Sequence, residues 1–456
     1  MADGTEGEGG GAGGDGPASA GRWVRARDVL GNGAVWVFPT VLLTLVVLVL
    51  ALAYSGGIAD PRGSLHRLPI ALVDRDTGDL GRRFVQGIAT APDPKERVSW
   101  RIMTPAQARD AFDSGRLYGA IEVPEGFTDA LTSIVAPTPA GSPKAAQPHV
   151  VLLTNPGAGS LASSLAIGIE QQALRTASLR IGADLAAQAR RAGTTPTTAQ
   201  SMLLADPITY TTTPGHALAP RTGLGLTAFY VTLLVVMAGF LGANIISGAV
   251  DSGLGYAPTE LGPKRLSRAP LLISRTQTLV AKMVMSAVLA VVTSSVIVLA
   301  TAVIIRLDLP HLFQLWVFTV CASAVVGVST QAIIAVFGGL GQIVAMIVFI
   351  ALAIPSAGAT VPLEAVPGFY RVLAEFEPMR QISDGVRAIV YFDAHADAGL
   401  QRAWSMMAVG LAAALVLGFG ITRWYDHRGF HRIHPDEVAG GGSPTGSSPG
   451  SSTGSA

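Results

Sequence analysis

The run Val35–Tyr54, VWVFPTVLLTLVVLVLALAY, has no charged side chain. It is long enough to cross a hydrocarbon core of about 30 Å, which needs roughly 17–25 helical residues. Five further stretches of the same character follow: about Gly223 to Val250, Thr278 to Ile305, Leu315 to Phe337, Leu340 to Pro355 and Trp404 to Thr422, of which Leu340 to Pro355 is the shortest. The whole composition agrees with a chain dissolved in lipid. Of 456 residues 49% are hydrophobic and only 14% charged, against roughly 25% charged in an average soluble domain, and the mean hydropathy is +0.45. The net charge of +1 conceals its distribution: basic residues flank apolar runs and form no long tract, which excludes nucleic acid as a partner. The single Cys321 lies in an apolar segment and cannot form an intramolecular disulfide. Lysine occurs only at Lys95, Lys144, Lys264 and Lys282, and with the Ala and Gly excess this points to a GC-rich bacterial genome.

Arg22, Arg25 and Arg27 precede the first span and place the N-terminus in the cytoplasm by the positive-inside rule. Six crossings return the C-terminus to the same side. Lys264, Arg265, Arg268 and Arg275 between spans two and three, and Arg423, Arg428 and Arg432 after the last, fit that scheme for a multi-pass plasma-membrane protein. Ser356 to Ala403 must then lie outside despite Arg371, Arg380, Arg387 and Arg402, accompanied by Glu364, Glu375, Glu377 and Asp384. The first span has a signal-peptide alternative, because Ala51-Leu52-Ala53 resembles a cleavage site; its long apolar run and the leader of residues 1–34 favour an uncleaved anchor. The expected organisation is a disordered cytoplasmic N-terminus (1–34), a first transmembrane helix (35–54), an extracytoplasmic α/β domain (55–222), a five-helix membrane domain (223–422) with an external re-entry segment (356–403), and a disordered cytoplasmic tail (423–456). Met1–Gly21 and Gly440–Ala456 are Gly/Ser-rich and cannot offset the entropy of ordering.

In the inserted domain short β runs alternate with helical ones. Strands are predicted at His66 to Val73, Val98 to Met103, Tyr118 to Val123 and Val150 to Leu153, and helices at Gly81 to Ala89, Thr104 to Ser114 and Ser160 to Arg191. Thr104 is an N-cap candidate with Pro105 at the first helical position and Gly115 as terminator. Loops are expected near Pro137 to Gln147 and Ala192 to Thr198. Asp74-Arg75-Asp76 ends a strand with two carboxylates that suit a cation, an acid/base pair or a solvated turn; only two carboxylates are visible and no further ligand spacing follows, which favours the turn. There is no G-x-S-x-G, no S-x-x-K with companions and no HExxH, so no catalytic or metal site is assigned and the chain is not read as an enzyme. Ser329 lies in a span without a sequence-adjacent His or Lys, which leaves little for an intramembrane enzyme.

The spans hold almost no titratable groups apart from Lys282, near enough to a cytoplasmic end to snorkel. Proton- or sodium-driven pumps place Asp, Glu or His in the bilayer, so ion coupling is disfavoured. Small residues recur every four positions, Gly239, Ala243 and Ser247 on span two and Gly410, Ala414 and Gly418 on span six, giving smooth faces for packing within the chain or across a dimer. Asn244, Gln331 and Gln342 are the polar side chains that should face protein or a substrate path. The absence of G-x-x-x-x-G-K-[ST] means that any ATP is used by a separate subunit and that this chain binds no cofactor itself. The cytoplasmic loop Asp251 to Thr276, with Tyr256, Glu260, Lys264, Arg265 and Arg268, is the candidate docking element, or a basic loop that merely obeys the positive-inside rule. His427, His431 and His434 have helical spacing, but Gly429 and Arg432 interrupt them and no acidic or Cys ligand is convincingly placed.

Three segments carry a family resemblance: Leu68-Pro69-Ile70-Ala71-Leu72-Val73-Asp74-Arg75-Asp76, then Gly115 through Val123-Pro124-Glu125-Gly126-Phe127, then Pro367-Gly368-Phe369-Tyr370 with Pro378 and Asp384-Gly385-Val386-Arg387. Over roughly Val35 to Thr422 the chain resembles permeases of the ABC-2 type, in the branch of the phage-infection protein (Pip-like) and the nitrosoguanidine-resistance membrane proteins. The second segment, similar to the family's small, aliphatic, Pro, x, x, Phe signature, is the most specific. Asp74-Arg75-Asp76 departs from the more usual Asn-containing turn. The resemblance implies an exporter's membrane subunit, homodimeric and driven by a separate nucleotide-binding ATPase. Pip-like proteins also include phage receptors and secretion components, which implies as the alternative a non-transporting surface or secretion-assembly protein that binds another protein.

Overall fold

A computed structural model describes Ala26, Leu30, residues 33–58, 60–136, 147–193, 197–261, 264–266, 269–358, 361–430 and Arg432. The chain divides into two compact units, Met1–Ala51 and Leu52–Ala456. Helix α1 (Gly33–Ile58) is apolar on every face from Trp36 onward, an environment that lipid or a protein interior accommodates.

Within Leu52–Ala456 a five-stranded sheet has the order β2-β1-β3-β4-β5. Its strands are β1 (Leu68–Asp74), β2 (Val98–Met103), β3 (Gly119–Val123), β4 (His149–Thr154) and β5 (Thr209–Pro214), interleaved with α2 (Asp79–Ala89), α3 (Pro105–Asp113), α4 (Phe127–Val135), α5 (Ser160–Arg191) and α6 (Thr198–Ala205). β1 lies between β2 and β3 and is parallel to both; β4 pairs antiparallel with β3 and parallel with β5. The alternation of β1 sends Leu72 into a core shared with Phe84, Ile121, Phe127 and Leu174, and Ala71 and Val73 into a second core with Ala108, Phe112 and Leu117. Both faces are therefore covered, as a sheet with parallel strands requires.

Caps fix the element ends. Thr104 accepts from the Gln107 N–H while the Gln107 side chain accepts from the Thr104 N–H, a complete capping box. In the signature segment Pro124 follows β3, Gly126 takes φ +79°, and Phe127 starts α4 and packs on Phe84 with ring centroids 5.3 Å apart. The motif is thus a left-handed turn plus a core anchor. The acidic turn is also structural: Asp76 accepts from Gly78 N, Thr128 N and the Thr128 hydroxyl, and Asp74 Oδ1 accepts from Asp76 N, so β1 is tied to α4. Helices α4 and α6 and strand β5 add to the expected elements, as does a small hairpin of β6 (Thr259–Leu261) and β7 (Lys264–Leu266). The expected loop around Pro137 to Gln147 lies almost wholly outside the described residues.

Among the described residues five stretches are helical, long and apolar enough to cross a membrane: Trp36–Gly56, Thr227–Gly253, Arg275–Ile304, Leu312–Ala351 and Leu400–His427. This makes the chain a multi-pass membrane protein with five candidate spans where six were expected. The expected fourth and fifth fall in one 40-residue stretch, divided into α9 (Leu312–Phe337) and α10 (Gly341–Met346) with a π turn and α11 (Ala353–Ser356) beyond. At Gly338 φ is +61°, and a Cβ on Gly341 would lie 2.5 Å from Ile334 Cα. Seven residues of uninterrupted helix would separate such positions by about 10 Å, so the chain folds back between Gly338 and Gly341.

Helix α9 packs against α7 (Thr227–Gly253), α8 (Arg275–Leu299) and α14 (Leu400–His427). The segment expected as an external connection forms a helical hairpin, α12 (Gly368–Ala374) and α13 (Pro378–Tyr391). Pro378 stands at the first position of α13 and Glu377 caps it, accepting from Arg380 N at 2.7 Å. α13 is wedged among α7, α9 and α14, so close that a Cβ on Gly385 would overlap the Phe318 ring. The inserted domain is fastened to this hairpin and to the turn Leu363–Ala365 before it. Tyr118 donates to Glu364 Oε2 at 3.0 Å, Arg387 donates to Gly157 O at 3.3 Å, and the His216 ring bridges Asp113 (2.8 Å) and the Tyr391 carbonyl (2.7 Å).

Candidate functional site

Beneath the hairpin tip the membrane helices leave a cavity of about 330 Å³, at the small end of the range for ligand pockets. α9 contributes Val326, Ser329 and Ala332 to its wall, the π turn Phe349, and α14 Met407, Gly410 and Ala414; Phe376, Pro378 and Gln381 form the roof. α14 lines it with Met406, Met407, Val409 and Leu417 as well as with Gly410, Ala413 and Ala414, and a Cβ on Gly410 would meet nothing within 4 Å. The wall is nearly all carbon. Ser329 and Gln381 are its polar groups, and Gln381 uses its amide N–H on the Glu375 carbonyl (3.2 Å) while its buried Oε1 has no partner. The chamber therefore suits an apolar or amphipathic molecule.

Glu377, at the hairpin tip beside this roof, is 3% exposed. Burial pushes its carboxyl up to about 7, against the opposing pull of the Met379 and Arg380 N–H groups and the Arg380 charge. Glu375 next to it pairs with Arg402 at 2.6 Å and is held below the usual carboxylate range by that guanidinium. Glu377 lies between spans rather than in one, so a search of the spans for titratable groups passes it by.

Away from the inserted domain, Lys282 Nζ donates to Asp251 Oδ1 and to Ser247 Oγ, each at 2.8 Å, and Arg432 also pairs with Asp251. Lys282 was expected to snorkel; it is 4% exposed and ion-paired inside the bundle, because Asp251 at the end of α7 supplies a nearer counter-charge than solvent. Asp426, in the last turn of α14, accepts from the Arg275 and Thr276 N–H groups and so caps the start of α8.

The other sequence candidates are dispersed. Asn244 donates to Phe240 O of its own helix, Gln331 donates to Ala243 O at 2.9 Å and Ser286 Oγ at 3.4 Å, and Gln342 is exposed at the start of α10; none of the three lines the cavity. Gly239 and Gly418 are close-packing positions, where a Cβ would sit 2.7 Å from Ser323 O and 3.0 Å from Ala332 Cβ. Ala243 is buried, and Ser247 serves Lys282. In the basic loop Tyr256 donates to Leu271 O at 2.8 Å and lies under the Arg432 guanidinium, 5.4 Å from its ring centroid. Glu260 is opposite Arg265 and Leu261 opposite Lys264 in the β6–β7 register; Arg268, His431 and His434 lie outside the described residues. No cluster of three metal-ligating side chains occurs among the described residues.

A family model described as "Protein of unknown function (DUF3533)" matches residues 40–410. Over 113 residues the chain is 30% identical to "Uncharacterized protein YhgE" of Bacillus subtilis (strain 168), a match that covers 25% of this chain and 14% of that protein. No solved structure matches.

Proposed function

The chain belongs to the DUF3533 family, whose description assigns no function, and from that premise we propose that it is the membrane permease subunit of an ABC-2-like exporter for an amphipathic, drug-like or lipid-like compound. The observation that carries this reading is the apolar cavity roofed by the α12–α13 hairpin. The fold-back at Gly338–Gly341 supports six crossings, with both termini in the cytoplasm and the inserted domain outside the plasma membrane. ATP is then hydrolysed by a separate subunit that docks at the β6–β7 hairpin and its basic flank, Arg265 and Arg268. The permease works as a homodimer.

Affinity purification of the tagged chain in mild detergent, with mass spectrometry of what accompanies it, tests the reading. A stoichiometric nucleotide-binding subunit is expected with the wild type and lost with Arg265→Glu/Arg268→Glu, while membrane insertion is unchanged. Recovery of the chain alone, or with secretion or envelope proteins, would instead favour a non-transporting surface-assembly role. Unchanged co-purification in the double variant would remove the docking role.

A further inference from the structure

We propose that the inserted domain carries a binding groove for a single-chain anionic amphiphile, its acyl chain laid along α5. The groove holds about 410 Å³ between α2, β2 and α5. On α5 Ile169, Ala173, Ala177, Ile181 and Leu185 line it, every fourth residue, so the apolar strip runs along the helix for about 24 Å. Leu80, Phe84 and Ile88 repeat the spacing on α2 across the groove, and Trp100 of β2 closes one side. Alanine at 173 and 177 leaves the middle of the trough unfilled. Gln172, Thr176 and Gln188 of α5 also line the slot, but its apolar strip has the length of one extended hydrocarbon chain.

The rim selects the head group. Arg83 and Arg180 border the groove, and neither makes an ion pair or a hydrogen bond among the described residues. Arg97 is a third guanidinium there, and its neighbour Asp93 is engaged by Arg97 Nε (3.1 Å), Arg97 N (2.6 Å) and Val98 N (3.1 Å). Asp184 is the remaining acid on the rim. Two guanidiniums without an ion pair or hydrogen bond among the described residues, beside an apolar strip, suit a carboxylate or phosphate on a hydrocarbon chain.

One end of the groove meets the membrane domain. Leu65 and Ile169 belong to the apolar cluster that also holds Val361 and Tyr370, and the Tyr370 hydroxyl donates to Leu52 O at 2.8 Å. The other end, at Ile88 and Leu185, packs into the core with Ile134 and Leu204. This buried cluster joins the mouth of the groove to the membrane domain. This site does not depend on the export reading, since occupancy is measured without transport.

The test uses the full chain in phosphatidylcholine nanodiscs, photolabelled with diazirine palmitate, with adducts mapped by mass spectrometry. Adducts are expected on residues 169–185 and 80–88. Ala177→Trp, which fills the trough, and Arg83→Glu/Arg180→Glu should each lower these adducts about tenfold and leave adducts on the spans unchanged, a control for folding. Excess unlabelled palmitate should suppress the groove adducts, and uncharged diazirine hexadecanol should label at about a tenth of the palmitate level. Absence of α5 adducts in the wild type, or adducts that ignore palmitate competition, would overturn the site. Equal labelling by the alcohol would overturn the anionic preference, and equal labelling by a diazirine phosphatidylglycerol would overturn the single-chain assignment.

Discussion

The Lys282–Asp251 pair makes a strong energetic prediction. The lysine side chain is 5% exposed and the aspartate 22%. Removing one partner of a buried pair costs about 3–5 kcal/mol, because the other charge is left desolvated. Lys282→Met leaves Asp251 with Arg432 and some solvent, so its cost is near the lower bound, about 3 kcal/mol. Asp251→Asn leaves the ammonium with only the Ser247 hydroxyl and costs more. The double variant removes both charges and should cost less than the sum of the singles, with a coupling of about 2 kcal/mol or more. A chain of this size unfolds irreversibly, so the readout is the half-life of the folded protein in detergent at fixed temperature, followed by size-exclusion chromatography. If the pair breaks before the unfolding barrier, about 3 kcal/mol shortens the half-life roughly 150-fold. Single variants within threefold of wild type, or strictly additive losses in the double, would refute the buried-pair account.

Glu377 makes stability pH-dependent in a definite direction. Its carboxyl is raised from 4.5 to about 7, so its favourable contribution is complete below pH 4.5 and is lost as pH rises through 7, a span of about 3 kcal/mol; Glu377→Gln keeps the cap acceptor and should flatten that slope, and an unchanged slope in thermal-inactivation profiles would count against it. Gly410→Leu enters open space on α14, so it should stabilise the helix by about 1 kcal/mol while abolishing activity in an amphiphile-efflux assay in which the wild type works; retained efflux would dissociate the cavity from transport. Phe127→Ala removes the ring that joins α4 to Phe84 and should cost about 3–5 kcal/mol, seen as proteolysis of the inserted domain with the membrane helices intact.

Much of the inserted domain is legible because its signals are local. Val98–Met103 and Ser160–Arg191 have the expected bounds, and the Thr104-Pro105 start of α3 announces itself through side chains that satisfy their own backbone. Helix α4 escapes because its N-cap is Gly126, with no capping side chain, although Phe127, Leu131 and Ile134 have helical spacing. Strand β5 escapes because it is a Thr-rich edge with scarcely a buried residue, and only its pairing with β4 makes it a strand. The fold-back at Gly338–Gly341 rests on two glycines inside an otherwise unbroken apolar run. The cavity is the least legible feature. Its walls come from α9, the π turn, the hairpin and α14, and Gln381 is singled out only by burial without an acceptor's partner. Spacing along one helix finds Gly410 and Ala414 as smooth positions but cannot tell that they line a cavity while Gly239 and Gly418 abut neighbouring helices.

Helix α5 has 32 residues and therefore extends for about 48 Å. Its beginning is pinned where Arg387 of the hairpin grips Gly157. Geometry of this kind amplifies: a rocking of the hairpin by about 5°, followed rigidly by the helix, would sweep the far end through about 4 Å. A spin label or fluorophore near Arg190 would then act as the pointer of a gauge whose pivot is the cavity roof, reporting sub-ångström changes around Glu377 as displacements that pulsed spectroscopy can measure.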